Sequence, residues 1–299
     1  MIIEAEYLSK RFKRVDAVDR LNLSVPEGAA FALIGANGAG KTTVLRMMVN
    51  LLRPDSGNVR VLGVDSRLLT PNDFTRIGYV SENQQLPEQL SVEQFLDYLR
   101  AIYSNWDVAL EKELVGFFDL PRNQYIGKLS HGTRMKMKLV AALSFRPKVL
   151  ILDEPLSGLD PLVRDEVMAG LLRQAEATTM VMSSQEVSEI ESWVSHVAFM
   201  ANGKLILQES IESLTARFRE VSVVLTANAA NPPSPKHWIG VQMSGLSLRF
   251  VETAFSDDDQ SQGEIRTLFG AFAHFESRPM SLRDISKALL RALRKESNS

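Results

Sequence analysis

Hydrophobic and polar positions alternate at period two around Ile2–Leu8, and more cleanly over Leu21–Val25, which predicts half-buried strands. Other stretches are apolar without interruption. Ala29–Ile34 and Val149–Leu152 have the length of buried strands, and Val59–Gly63, Ile77–Val80 and Thr179–Ser183 read as further strands. Between them the period lengthens. From Ser91 to about Phe118 the apolar residues Val92, Phe95, Leu96 and Leu99 recur at helical spacing, with Ser91 and Gln94 as a capping box. Ser130 is placed to cap a helix through Met135, Met137, Leu139 and Val140, and Asp160 with Pro161 opens another. Val44–Leu52, apolar around most of its circumference, predicts a buried helix. The fold class is α/β.

After Leu207 the pattern changes. Val221–Leu225 and Leu246–Val251 read as strands, Asn228 to Pro235 as a linker or long turn, and Ser256–Gly263 as a solvated acidic loop. Ser281 to Lys295 is an amphipathic helix with Leu282, Ile285, Leu289 and Leu293 on one face and a capping box from Ser281 and Asp284. Two domains are expected, 1–210 and a small α+β domain over 211–299.

Between the strand Ala29–Ile34 and the helix that follows lies Gly35-Ala36-Asn37-Gly38-Ala39-Gly40-Lys41-Thr42-Thr43, which reads G-x-x-x-x-G-K-T. Its glycines allow positive φ and close approach, so successive N–H groups can point at one anion, aided by the helix N-terminus. Lys41 would reach the β- and γ-phosphates, and the Thr42 hydroxyl would ligate Mg²⁺. The bare pattern arises by accident in roughly one chain of this length per hundred; the flanking strand and helix lower that further. Val149–Leu152 delivers two carboxylates, Asp153 and Glu154, to the end of its strand, where α/β sheets bind ligands. An Asp there can hold Mg²⁺ through water, and the neighbouring Glu can orient or deprotonate an attacking water.

Composition narrows the partners. Thirty-four basic and 36 acidic residues leave a formal charge of −2, so bulk electrostatics make no case for nucleic acid. The absence of cysteine excludes disulfides and thiolate metal sites. Acids interrupt the first residues, unlike a secretory signal, and no apolar run approaches the ~18 residues of a membrane span. Any passage through a membrane would come from another chain.

Over about residues 1–210 these stretches resemble the ATP-binding subunit of an ABC transporter. Gly35–Thr42 is similar to the Walker A loop and Val149–Glu154 to the Walker B strand with its catalytic glutamate. Leu129-Ser130-His131-Gly132-Thr133 resembles the family signature, usually Leu-Ser-Gly-Gly-Gln. The resemblance implies a P-loop NTPase fold with an inserted helical subdomain at about 88–143 and a head-to-tail dimer. In that dimer Ser130 and Gly132 of one subunit contact the γ-phosphate held by Lys41 of the other, and Asp160 is the D-loop aspartate. It also implies ATP and Mg²⁺ as ligands, with Phe12, an ordinary packed aromatic by position alone, against adenine. Asn37, Gly38, Ala39, Gly40 and Thr43 belong to the phosphate cradle, and Thr42, Glu82 and Asp153 to the metal.

Three residues depart from the family pattern. His131 replaces a signature glycine, its imidazole expected to point outward, and Glu82 stands where a glutamine is usual. Gln185, in Ser183-Ser184-Gln185-Glu186, stands where the switch histidine belongs. With Glu154 and Lys41 it makes up the expected catalytic set. The C-terminal third resembles extensions on ABC-2-type exporter ATPases, which implies a regulatory or dimerising part. The expectation is an ATPase subunit on the cytoplasmic membrane face that drives export through a separate permease. A soluble ABC ATPase acting on nucleic acid or ribosomes is the rival, opposed by the single P-loop and the lack of a heptad insert; a weakly hydrolysing regulator is the other.

Overall fold

The computed structural model describes residues 1–175, 177–227 and 235–296, with side chains as far as residue 292. They divide into two compact units, Met1–Gln208 and Glu209–Ser299.

In the first unit β1 (Ile3–Phe12) and β2 (Val15–Val25) pair antiparallel, and β3 (Ala30–Ile34) leads through the glycine loop into α1 (Lys41–Met48). β4 (Ser56–Val61) and β5 (Val64–Asp65) extend the hairpin into a sheet ordered β2-β1-β4-β5. The one-turn α2 (Pro71–Phe74) precedes β6 (Ile77–Ser81), and α3 (Val92–Ile102), α4 (Val108–Phe117) and α5 (His131–Leu143) follow. The chain returns as β7 (Val149–Asp153), α6 (Pro161–Leu172), β8 (Thr179–Ser184), β9 (His196–Ala201) and β10 (Lys204–Ser210). The second sheet runs β10-β9-β3-β8-β7-β6, with β3 parallel to β8 and β9, and β7 parallel to β6 and β8. Every residue of β7 and β8 is buried, as expected of parallel strands covered on both faces. Ile3 and Leu8 of β1, Phe31 of β3 and Met47 and Met48 of α1 meet in one core.

Two expectations are corrected here. α1 stops at Met48 rather than Leu52, because Asn50 turns left-handed (φ 55°) and the N–H groups of Leu51 and Leu52 return to the Arg46 carbonyl. Leu51 is consequently exposed. The helix expected from Ser91 to Phe118 is two: Asp107 accepts from the Leu110 N–H and starts α4 afresh. In the break, Tyr103 stacks on Phe145 with ring centroids 4.3 Å apart. The capping box at Ser91 and the caps at Ser130 and Asp160 form as expected.

The second unit contains α7 (Ile211–Arg217), β11 (Arg219–Leu225), β12 (Trp238–Ser244), β13 (Ser247–Glu252), α8 (Asp258–Phe269), β14 (Phe272–Pro279) and α9 (Leu282–Glu296). Its antiparallel sheet is ordered β12-β13-β11-β14, and Val221, Val223, Trp238, Leu248, Phe250 and Ile265 form its core. The solvated loop expected over Ser256–Gly263 is instead the start of α8. Asp257 caps it through the Gln260 N–H at 2.8 Å, and Asp258 and Asp259 lie in its first turn. The linker expected from Asn228 lies, up to residue 234, outside the described residues, as does the side chain of Leu293.

Candidate functional site

Strand register assembles the site. Ser81 pairs with Asp153, Asp153 with Ser183, and Ile34 with Ser184, so the residues that follow these strands share one carboxyl edge of the sheet. Backbone cross-links tie that edge together. The Glu82 N–H donates to the Asp153 carbonyl (3.1 Å), and the Gly35 N–H to that of Ser184 (3.3 Å). The Glu154 N–H donates to Ser183 Oγ at 2.9 Å.

The loop from Gly35 to Gly40 folds tightly before α1. Gly40 has φ 104°, and a Cβ there would lie 2.2 Å from the Ala17 carbonyl oxygen, so no other residue fits. Asn37 and Gly38 are exposed at the tip, whereas Ala39 is buried. Lys41 is only 5 % exposed. Its Nζ donates to the Gly35 carbonyl at 2.7 Å and to that of Ala36 at 3.3 Å, and it pairs with Glu154 Oε1 at 3.0 Å. Glu154 holds this position from a left-handed backbone (φ 52°), a conformation that strains a side-chain-bearing residue.

Beside this pair, the Thr42 hydroxyl donates to Asp153 Oδ1 at 2.8 Å, and Ser183 Oγ donates to the same oxygen at 3.0 Å. Asp153 is buried and Thr42, like Thr43, half-buried. A hydroxyl and a carboxylate, oxygen donors only, fit a hard divalent cation. The Glu82 side chain is half-buried, and no described hydrogen bond or ion pair joins its carboxylate to Thr42 or Asp153.

No described hydrogen bond or ion pair joins the remaining expected residues to this cluster. Gln185 is exposed just beyond β8. Phe12 lies at the hairpin end of β1, 46 % exposed, with Lys10 Nζ 5.7 Å from its ring centroid. Ser130 Oγ accepts the Thr133 N–H (3.1 Å), and Asp160 Oδ1 accepts that of Val163 (3.1 Å). At Gly132 a Cβ would meet Val163 Cγ1 at 2.7 Å, so packing of α5 on α6 demands a glycine. His131 is exposed, as expected, and its Nε2 lies 3.1 Å from the Ser157 carbonyl oxygen.

Two residues of this edge escape a reading of the sequence. Ser183 bridges Asp153 and the Glu154 backbone, hinted at only by a serine ending an apolar strand. Lys138, on α5, is 4 % exposed and donates from Nζ to the carbonyls of Ser81 (2.8 Å) and Glu82 (2.9 Å). Burial, and less so Arg134, pushes its pKa down to about 8, while the Glu82 charge opposes this. A lysine three residues after Met135 and three before Ala141, both buried, was its signal.

A buried lysine and a hydroxyl at the start of α1, facing the acidic end of a parallel strand, define a P-loop NTPase fold. The family described as ABC transporter matches residues 18–157. The bacitracin transport ATP-binding protein BcrA of Enterococcus faecalis is 33% identical over 224 residues, covering 73% of this chain and 72% of that protein. The daunorubicin/doxorubicin resistance ATP-binding protein DrrA of Streptomyces peucetius is 32% identical over 212 residues, 69% of this chain and 64% of its own. Among solved structures, a dimeric ATP-binding cassette in a post-hydrolysis state with ADP and Pi superposes with a TM-score of 0.61 at 20% identity, covering 70% of this chain and 98% of that one. The chain belongs to the ATP-binding proteins of the ABC transporter family. None of its described helices is long and apolar enough to cross a membrane.

Proposed function

We propose that this protein is an ATP-hydrolysing subunit that works as a head-to-tail dimer on the cytoplasmic face of a membrane and drives export through a separate permease. The observation that carries this reading is the Lys41–Glu154 pair at 3.0 Å beside the Thr42–Asp153 hydrogen bond. Lys41 neutralises the β- and γ-phosphates, and the N–H groups of the loop from Gly35 to Thr43 cradle them. On binding, triphosphate oxygens take the place of the Glu154 carboxylate at Lys41 Nζ, which frees Glu154 to accept a proton from the attacking water. Thr42, Asp153 and Glu82 would hold Mg²⁺, which would supply charge neutralisation at the phosphates. Gln185 hydrogen-bonds the γ-phosphate without adding positive charge, Phe12 lies against adenine, and Asp160 lines the seam between subunits.

Two features support the dimer: the start of α5 and the dimeric cassette among the similar structures. Ser130 and Gly132 start a helix of thirteen residues, an anion-binding terminus that no described contact directs at this chain's own Lys41. A second subunit supplies the phosphate that it meets. Export is supported by the drug-resistance and antibiotic-transport names of DrrA and BcrA. The test is single-turnover ATPase and oligomeric state for wild type beside Glu154→Gln. Mg²⁺-ATP should trap the variant as a dimer, and a variant that stays monomeric at saturating ATP overturns the shared site.

A further inference from the structure

In the second unit three side chains from three elements converge. His237 precedes β12, Glu252 ends β13, and Glu264 lies on α8, and one ligand atom from each falls within 4.8 Å of the others. His237 Nε2 is 2.8 Å from Glu264 Oε2. The His237 backbone is fixed, its carbonyl accepting from both the N–H and the hydroxyl of Thr253. Ser261, one turn before Glu264 on the same helix, donates its hydroxyl to Glu252.

The cluster sets two carboxylates beside one imidazole. Glu252 is 2 % exposed and accepts the Ser261 hydroxyl. No described lysine or arginine pairs with it. The arginine opposite it on β11, Arg219, is turned onto the Phe255 ring, 5.2 Å from the centroid. A cation held between the two carboxylates offsets their mutual repulsion. Trp238, opposite Glu252 on β12 and therefore on the same face of the sheet, is also buried, and its Nε1–H has no partner.

We propose that His237, Glu252 and Glu264 form a binding site for one divalent transition-metal ion, with zinc the ion whose ligand preferences they match. One imidazole with two carboxylates is an N/O set typical of zinc sites that keep a position for water. Around a tetrahedral ion with bonds of about 2.1 Å, ligand atoms stand about 3.4 Å apart. The His237–Glu264 contact therefore opens slightly and the wider separations close. Both side chains are partly exposed and have room to turn. Ser261 orients the buried carboxylate, as residues behind metal ligands do. Bound metal would fasten α8 to the adjoining ends of β12 and β13.

The test uses the full chain, stripped with a chelator and dialysed. Zn²⁺ is titrated against a chromophoric indicator in excess Mg²⁺, which occupies the Thr42–Asp153 site. Wild type should take up one equivalent more than His237→Gln/Glu264→Gln, with at least roughly tenfold weaker binding in either single variant. Co²⁺ in place of Zn²⁺ should give visible d–d bands in wild type that the double variant lacks. Glu252→Gln risks the fold, so the two partly exposed ligands carry the decision. Equal zinc uptake by wild type and double variant, or no saturable uptake by wild type, overturns the proposal.

Discussion

Replacing Glu154 with glutamine keeps its shape and removes its charge, and the structure gives that change two separable consequences. The first is on binding. Lys41 is 5 % exposed and its one carboxylate partner among the described residues lies at 3.0 Å, with carbonyl acceptors at 2.7 and 3.3 Å. Since the ammonium keeps those carbonyls, losing the carboxylate costs the free protein about 1–2 kcal/mol rather than the larger penalty of an orphaned charge. Phosphate oxygens restore the lost partner, so ATP should bind Glu154→Gln roughly 5–30-fold more tightly than wild type. The second consequence is on chemistry. A positioned general base contributes about 10²–10⁴ in rate, or about 2.7–5.5 kcal/mol of barrier, and the variant forfeits it. Calorimetric titration with ATP reads the first effect, and single-turnover hydrolysis with protein in excess reads the second. Glu154→Gly separates backbone from side chain: it loses the base too but relieves the left-handed φ of 52°, so it should unfold at higher denaturant than Glu154→Gln by about 1 kcal/mol. Turnover within tenfold of wild type, or unchanged ATP affinity, would refute the assignment of Glu154 to both roles.

Gln185→His adds a group able to carry charge beside the γ-phosphate, where one preorganised stabilising group is typically worth roughly 3–4 kcal/mol. The steady-state ATPase rate should rise, and an unchanged or lower rate rejects this reading. Lys138→Met removes both donors to Ser81 and Glu82 but also a buried charge, so chemical denaturation should show a net loss of about 1–3 kcal/mol near pH 7. Burial lowers the Lys138 pKa from 10.5 to about 8, so the unfolded chain binds the extra proton between these values. Wild-type stability relative to Lys138→Met should therefore rise from pH 8 towards 10.5 and stay level below 8; a difference constant with pH contradicts the burial argument. Asp257→Ala removes the cap of α8 and should cost about 1 kcal/mol, read as a lowered melting temperature; no change would return Ser256–Gly263 to the status of a solvated loop.

What the sequence discloses depends on whether the deciding interaction is local. β7 is legible because a fully buried parallel strand needs an unbroken apolar run, and Val149–Leu152 is one. The caps at Ser91, Ser130 and Asp160 are legible because each bonds within three residues. The same chemistry at Asp257 goes unread, because three consecutive aspartates look like a solvated run and hide the one that caps. β12 alternates but is interrupted by Gly240 in a left-handed turn, and β14 leaves no residue fully buried, so neither shows a clean period. Within the site, Lys41 and Thr42 are visible as residue types. Their pairing with Glu154 and Asp153 depends on the register of β3, β8 and β7, which no local pattern encodes.

That register also bears on the residues that depart from the family pattern. α5 is anchored at two places, and both anchors lead to strand ends of the candidate site. At its first residue His131 meets the Ser157 carbonyl, while the Ser157 N–H in turn donates to the carbonyl of Glu154. Two turns later Lys138 holds the carbonyls of Ser81 and Glu82. A glycine at position 131 could make no such bond, so the histidine adds a constraint between the signature turn and the loop after β7. Any displacement of Glu82 or Glu154 on phosphate binding must therefore be followed by α5 or break one of these bonds. Ser130, which starts α5 and in the proposed dimer faces the other subunit's triphosphate, moves with that helix. A double-mutant cycle of His131→Gly and Lys138→Met on ATP-dependent dimerisation measures this linkage. Coupling of about 0.5 kcal/mol or more is expected, since both anchors act on one rigid helix, and strict additivity would mean that they act independently.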